Sequence, residues 1–195
     1  GLVSYLGSMF TYVALPFQIK LLTNSYIAVG IMGAVELTPL IVFGLYGGVL
    51  ADSVDRKKMV WATEFLALFI SLSLFLNSTL HKPHLLLLYI CGGAFAAVDG
   101  LQRPSADAIL PRIVDHKDLP NASALMSLRS QFGVITGPAL AGILISTVGI
   151  SAGFLVDVIS YLVSLIFLWK VSAFPPHEKN LAPTMQSMIA GIKYA

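Results

Sequence analysis

Five charged side chains fall where the surrounding sequence is apolar: Glu36, Asp99, Arg103, Asp107 and Arg129. Asp99, Arg103 and Asp107 are spaced i, i+4 and i+8, which places them on one stripe of a helix. An ionisable group inside a hydrocarbon layer is costly and marks function by default. Alternating carboxylates and guanidinium groups can neutralise one another there, and a network that only fixes helix register is the plain structural alternative. A carboxyl in such a network that takes up and releases a proton can drive transport. Counting ~1.5 Å per residue from the nearer helix end, Asp99 is the deepest of the stripe and Asp107 the shallowest, while Arg103 and Arg129 reach similar depth. Glu36 stands near the middle of its segment, close to Pro39, with no evident partner in the sequence. It is the other candidate to hold a proton or to meet a cationic substrate.

The elements that must position these residues follow from composition. Hydrophobic residues make up 56% of the chain and charged ones 11%, with a mean hydropathy of +0.82. A soluble domain is about 25% charged, so this chain has too little polar surface to cover a water-soluble fold. It reads as an all-α integral membrane protein. Segments 1–22, 26–51, 59–80, 84–110, 121–148 and 152–171 each approach the ~20 residues that a spanning helix needs. Their connections are short, which describes an up-down bundle of six helices, each satisfying its own backbone. After residue 171 the polar, Pro-rich "SAFPPHEKNLAP" leads into "TMQSMIAGIKYA", which carries Met185, Met188, Ile189 and Ile192 on one helical face. The expected division is a six-helix transmembrane unit, 1–171, followed by a cytoplasmic linker with the start of an amphipathic helix, 172–195.

Loop charges orient the bundle. Arg56, Lys57, Lys58, Arg112, Lys117, Lys170, Lys179 and Lys193 fall on one side, against Lys20 and Lys82 on the other. The positive-inside rule then puts both termini in the cytoplasm of a multi-pass protein of the cell (inner) membrane. A net charge of +2 makes no case for a nucleic-acid partner. The single cysteine, Cys91, excludes an intrachain disulfide or a Cys-based metal cluster. His81 and His84 lack a third ligand, so no metal is expected. "NST" at Asn77 and "NAS" at Asn121 match the glycosylation pattern without being informative. P-loop, His-Glu-x-x-His and Gly-x-Ser-x-Gly signatures are missing from the sequence, so no enzyme activity, catalytic residue or cofactor is expected. The first residues show no charged n-region and no cleavage site, so no signal peptide is expected, and the native start is expected to be missing.

Residues 47–59, "GGVLADSVDRKKM", join the second and third segments. Orientation explains Arg56, Lys57 and Lys58, but not Gly48, Asp52 or Asp55. The spacing Gly48-x-Leu50-Ala51-Asp52-x-x-Asp55-Arg56-Lys57 resembles the loop motif of the major facilitator superfamily, Gly-x-Leu-Ala-Asp-x-x-Gly-Arg-Lys, with Asp55 in place of a glycine. In the fifth segment, Gly133-x-x-x-Gly137-Pro138-x-x-Ala141-Gly142 resembles that family's antiporter motif, with Ala141 replacing one glycine. Small residues four apart also serve ordinary close helix packing, and Pro138 permits a kink.

The resemblance covers the whole chain. "YVALPFQIKLLTNSYIAVGI", "PSADAILPRIVDHKDLPNASAL" and "AGFLVDVISYLVSL" look like the branch containing drug:proton antiporters and the enterobactin exporter. It implies half of a twelve-helix fold, built of two inverted three-helix repeats with substrate near the membrane midplane. It implies a secondary active transporter exporting a small amphiphilic compound by alternating access in exchange for protons. The partners are then the substrate, protons, the lipid bilayer and a missing C-terminal six-helix half. Gly48, Asp52, Arg56 and Lys57 become a cytoplasmic gate motif; Gly133, Gly137, Pro138 and Gly142 become the antiporter motif. Glu64 is expected among the loop charges, and Asp157 as a packing or capping carboxylate. The alternative is a non-transporting membrane module that binds a partner protein or lipid through a transporter-like half.

Overall fold

The computed structural model describes residues 2–53, 56–107, 114 and 116–169. Among the described residues six α-helices follow one another: α1 Leu2–Thr23, α2 Tyr26–Ser53, α3 Arg56–Ser78, α4 Leu85–Asp107, α5 Leu119–Thr147 and α6 Ile150–Trp169. A single 3-10 turn, His116–Asp118, leads into α5, and there is no strand among the described residues. The helices agree with the spans expected from hydropathy to within three residues at each end. The linker and amphipathic segment expected at 172–195 lie outside the described residues.

Five of the helices, α2 to α6, are long and apolar enough to cross a membrane. The remaining helix, α1, has the length at 22 residues but carries Ser4, Thr11 and Gln18, all of which are buried inside the bundle. Its polar groups face protein, which is where a spanning helix tolerates them.

The turns are set by local chemistry. Asn24 adopts a left-handed conformation, φ 50°, and Lys20 Nζ donates to its carbonyl at 2.9 Å. Asn77 folds the α3–α4 turn: its Nδ2 donates to His84 O at 3.3 Å while its Oδ1 accepts from His84 N at 2.8 Å. Asn77 is 3% exposed, so the glycosylation pattern there is occupied by a structural role. Gly149, φ 113°, ends α5 in a conformation that favours glycine.

Packing follows a rule of exchange. α2 lies against α4 as α5 lies against α1, α1 lies against α6 as α4 lies against α3, and α3 packs on α6. Swapping the first three helices for the last three therefore returns the five most extensive pairs. α4 comes three chain reversals after α1 and runs opposite to it, so the two repeats are inverted. At the α2–α4 crossing the backbones touch. A Cβ on Gly100 would lie 2.8 Å from Leu40 O and 2.9 Å from Gly44 N, and one on Gly47 would lie 2.9 Å from Leu101 Cα. The apolar core, with Leu15, Ile19, Leu74, Leu88 and Phe154, fills the space between α1, α3, α4 and α6. The least covered helices are α2 and α5, one from each repeat.

Candidate functional site

Half of the expected charge network is described. Arg103 Nη2 lies 2.9 Å from Asp99 Oδ2, one helical turn away on α4, with side chains 63% and 27% exposed respectively. The contact is an ion pair and not an aligned hydrogen bond, because Asp99 Oδ2 has no hydrogen-bond partner. Asp107 closes α4 and Arg129 belongs to α5, but both side chains lie outside the described residues.

Glu36 of α2 lines a cavity of about 20 Å³ together with Thr11, Tyr12 and Leu15 of α1, Leu74 of α3, and Gly92, Phe95 and Ala96 of α4. A space of that size holds about one water molecule and no drug-sized ligand. Glu36 makes neither a hydrogen bond nor an ion pair among the described residues. Tyr12 stands within electrostatic reach of Asp99, Glu36 and Arg103.

The two sequence motifs resolve differently. In the gate motif Gly48 faces open space, Asp52 sits in the last turn of α2, and Arg56 begins α3. The side chains of Asp52 and Arg56, and all of Asp55, lie outside the described residues. Lys57 is half-buried in the first turn of α3. In the antiporter motif a Cβ on Gly133 would run into the Tyr5 ring, and one on Gly137 would lie 2.5 Å from Met9 Cβ. These two glycines let α5 approach α1. Ala141, the departure from the family pattern, is fully buried, while Gly142 faces open space. Pro138 lies inside α5 without ending it.

A second polar region was not singled out by the sequence. Ser4, Ser8 and Thr11 follow one face of α1, opposite Glu64 and Ser71 of α3 and Asp157, Ser160 and Tyr161 of α6. Glu64 is fully buried and accepts a hydrogen bond from Ser4 Oγ at 3.3 Å. Ser8 Oγ and the Tyr161 hydroxyl share one at 2.9 Å. Asp157, also 0% exposed, is a packing carboxyl and not a cap. Its Oδ2 accepts from Thr11 Oγ1 at 2.6 Å and from Ser71 Oγ at 2.7 Å, and Ser160 Oγ reaches Oδ1 at 3.5 Å. The available signal was the helical spacing of hydroxyls in three separate segments.

A six-helix membrane bundle paired by repeat inversion is the architecture of one half of a major facilitator transporter. The chain matches the family of transmembrane secretion effectors over residues 1–195 and belongs to that family. It is similar to the enterobactin exporter EntS of Shigella boydii serotype 18, at 29% identity over 185 residues, covering 93% of this chain and 44% of that protein. The same identity and coverage relate it to the enterobactin exporters EntS of Escherichia coli O1:K1 / APEC and Citrobacter koseri. The chain thus spans less than half the length of the curated relatives it matches.

Proposed function

We propose that the complete protein containing this chain exports a small amphiphilic compound, drug-like or siderophore-like, in exchange for protons by alternating access. Residues 1–171 serve as its N-terminal six-helix half, and 172–195 lead toward a second half that completes the substrate path. Both termini face the cytoplasm of the inner membrane. Secretion-effector family membership and likeness to proteins named enterobactin exporters support the direction of transport.

The observation that carries proton exchange is the contrast between two carboxyls, Asp99 and Glu36. Asp99 has its charge met by Arg103 at 2.9 Å; Glu36, on the water-sized cavity, has no such partner among the described residues. A carboxylate that loses its cation in a low-dielectric site takes up a proton. Separation of Arg103 from Asp99 during the cycle would therefore load Asp99, while Glu36 meets a second proton or a cationic part of the substrate. Gly48, Asp52, Arg56 and Lys57 form the cytoplasmic gate, with the Asp52 carboxylate making a contact that breaks and re-forms.

Full-length transporter in proteoliposomes with an imposed pH gradient provides the test. Asp99→Asn is expected to abolish pH-driven export while preserving substrate exchange, which moves no net proton. Wild-type pH dependence in that variant transfers the proton to Glu36. Asp52→Asn is expected to insert normally and transport slowly; equal transport leaves that loop with an orienting role alone. Labelling of Ser53→Cys from the cytoplasmic side, and of Lys82→Cys from outside, checks the orientation.

A further inference from the structure

We propose that Asp157, with the hydroxyls of Thr11, Ser71 and Ser160, forms a proton-binding site inside the α1–α3–α6 interface, apart from the Asp99–Arg103 pair. Its role in transport rests on the proton-exchange reading above; its existence does not. The carboxyl has no exposed surface. Among the described groups the three hydroxyls act on it and no cation does. Tyr161 of α6 feels its charge together with those of Glu64 on α3 and Asp99 on α4. None of these can carry positive charge. On α1 the facing groups are Ser8 and Thr11, and on α5 the single ionisable residue of the span, Arg129, has its side chain outside the described residues. Burial disfavours the ionised form of such a carboxyl while the donating hydroxyls favour it, so the site can both hold a proton and release it.

Hydroxyls suit both states of the site, since each can donate or accept. Thr11 and Ser71 donate to the carboxylate. When Oδ2 carries the proton, either can turn to accept it and give its own hydrogen to the backbone carbonyl four residues back. Ser8 and Thr63 already bond that way. Proton binding and release then need rotation of a hydroxyl and no repacking of helices. α1 closes over the carboxyl at Gly7, where a Cβ would run into Ser160 Oγ and stand 3.1 Å from Asp157 Oδ1.

Thr11 supplies the access. The same residue that donates to Asp157 at 2.6 Å lines the Glu36 cavity. A protonated Glu36 can give its proton to a water in that cavity as the water hands one of its own to Thr11 Oγ1 and the threonine's hydrogen passes to Asp157 Oδ2. The water and the hydroxyl are restored, Glu36 loses one proton and Asp157 gains one.

Infrared spectroscopy of the full-length transporter in lipid nanodiscs, scanned across pH in H2O and D2O, tests the site. The wild type is expected to show a carboxylic-acid C=O band that is absent in Asp157→Asn. Survival of every acid band in that variant overturns the site. Should Asp157→Asn fail to fold, Thr11→Val and Ser71→Ala keep the carboxyl and remove one hydroxyl each. The band must then shift in both, and an unmoved band overturns the proposal. Transport is read separately in proteoliposomes. Loss of pH-driven export with retained exchange in Asp157→Asn supports a coupling role, and unchanged pH-driven export overturns it. A wild type indifferent to the pH gradient defeats the proton-exchange reading, and the infrared band alone then decides the site.

Discussion

Asp157 and Asp99 both stand in the middle of apolar helices, yet one has no exposed surface and only hydroxyl partners, while the other is 27% exposed and pairs with Arg103. The difference extends to the helices that carry them. Side-chain hydrogen bonds reaching from α1 to α3 and α6 hold the region around Asp157. Asp99 lies on α4, which meets α2 backbone to backbone through glycines, on a face that leaves α2 largely uncovered. Polarity buried within one half can fix three helices together. Charge on an open face can change partners as the protein moves. The comparison suggests a division of labour between a region that sets the shape of the half and one that rearranges.

The largest effect is expected where backbones touch. Gly100→Val would place a branched side chain on a Cβ only 2.8 Å from Leu40 O, and neither backbone can turn aside as a flexible side chain would. Overpacking of this kind costs about 3 kcal/mol or more. Yield and thermal stability of the full-length protein in detergent should both collapse. A variant of normal stability would show that α2 and α4 can separate at little cost, and the face carrying Asp99 would lose its rigid base.

A direct contest between the two regions comes next. Ser71→Ala removes a donor from fully buried Asp157, and leaving such a group short of a partner costs about 1–3 kcal/mol. Arg103→Gln breaks a pair one turn apart within α4, whose cation is 63% exposed, so it removes no contact between described helices. Melting temperatures should therefore fall further for Ser71→Ala, while proton-driven export should suffer more in Arg103→Gln. The reverse order in both measurements would invert the assignment of roles.

The fold was legible because hydropathy and short turns act locally along the chain. Asp99 and Arg103 were legible too, since a charge four residues from its opposite announces a pair on any helix. The Asp157 region was hidden because serine and threonine are ambiguous in apolar helices. Thr38, Thr63 and Ser73 bond their own backbone carbonyls one turn back, whereas Thr11 and Ser71 reach across to another helix. Only tertiary packing separates the two kinds. The cavity beside Glu36 was hidden for the same reason, as its walls come from four helices.

The smallest effect is expected within the antiporter motif, where spacing alone treats all glycines alike. Gly137 would set a Cβ 2.5 Å from Met9 Cβ, an atom near the α1 backbone that cannot swing away, whereas nothing lies within 4 Å of a Cβ on Gly142. Gly137→Ala should thus push α5 from α1 and lower the melting temperature. Gly142→Ala should leave it unchanged or raise it, because alanine is favoured over glycine in a helix interior by up to about 1 kcal/mol. The pair tests whether the motif acts inside this half or beyond it. A drop in stability for Gly142→Ala in the full-length transporter would mean that the open face of α5 meets another element there. The motif would then serve contact between halves, and the mobile region of the comparison would extend from α2 and α4 to α5.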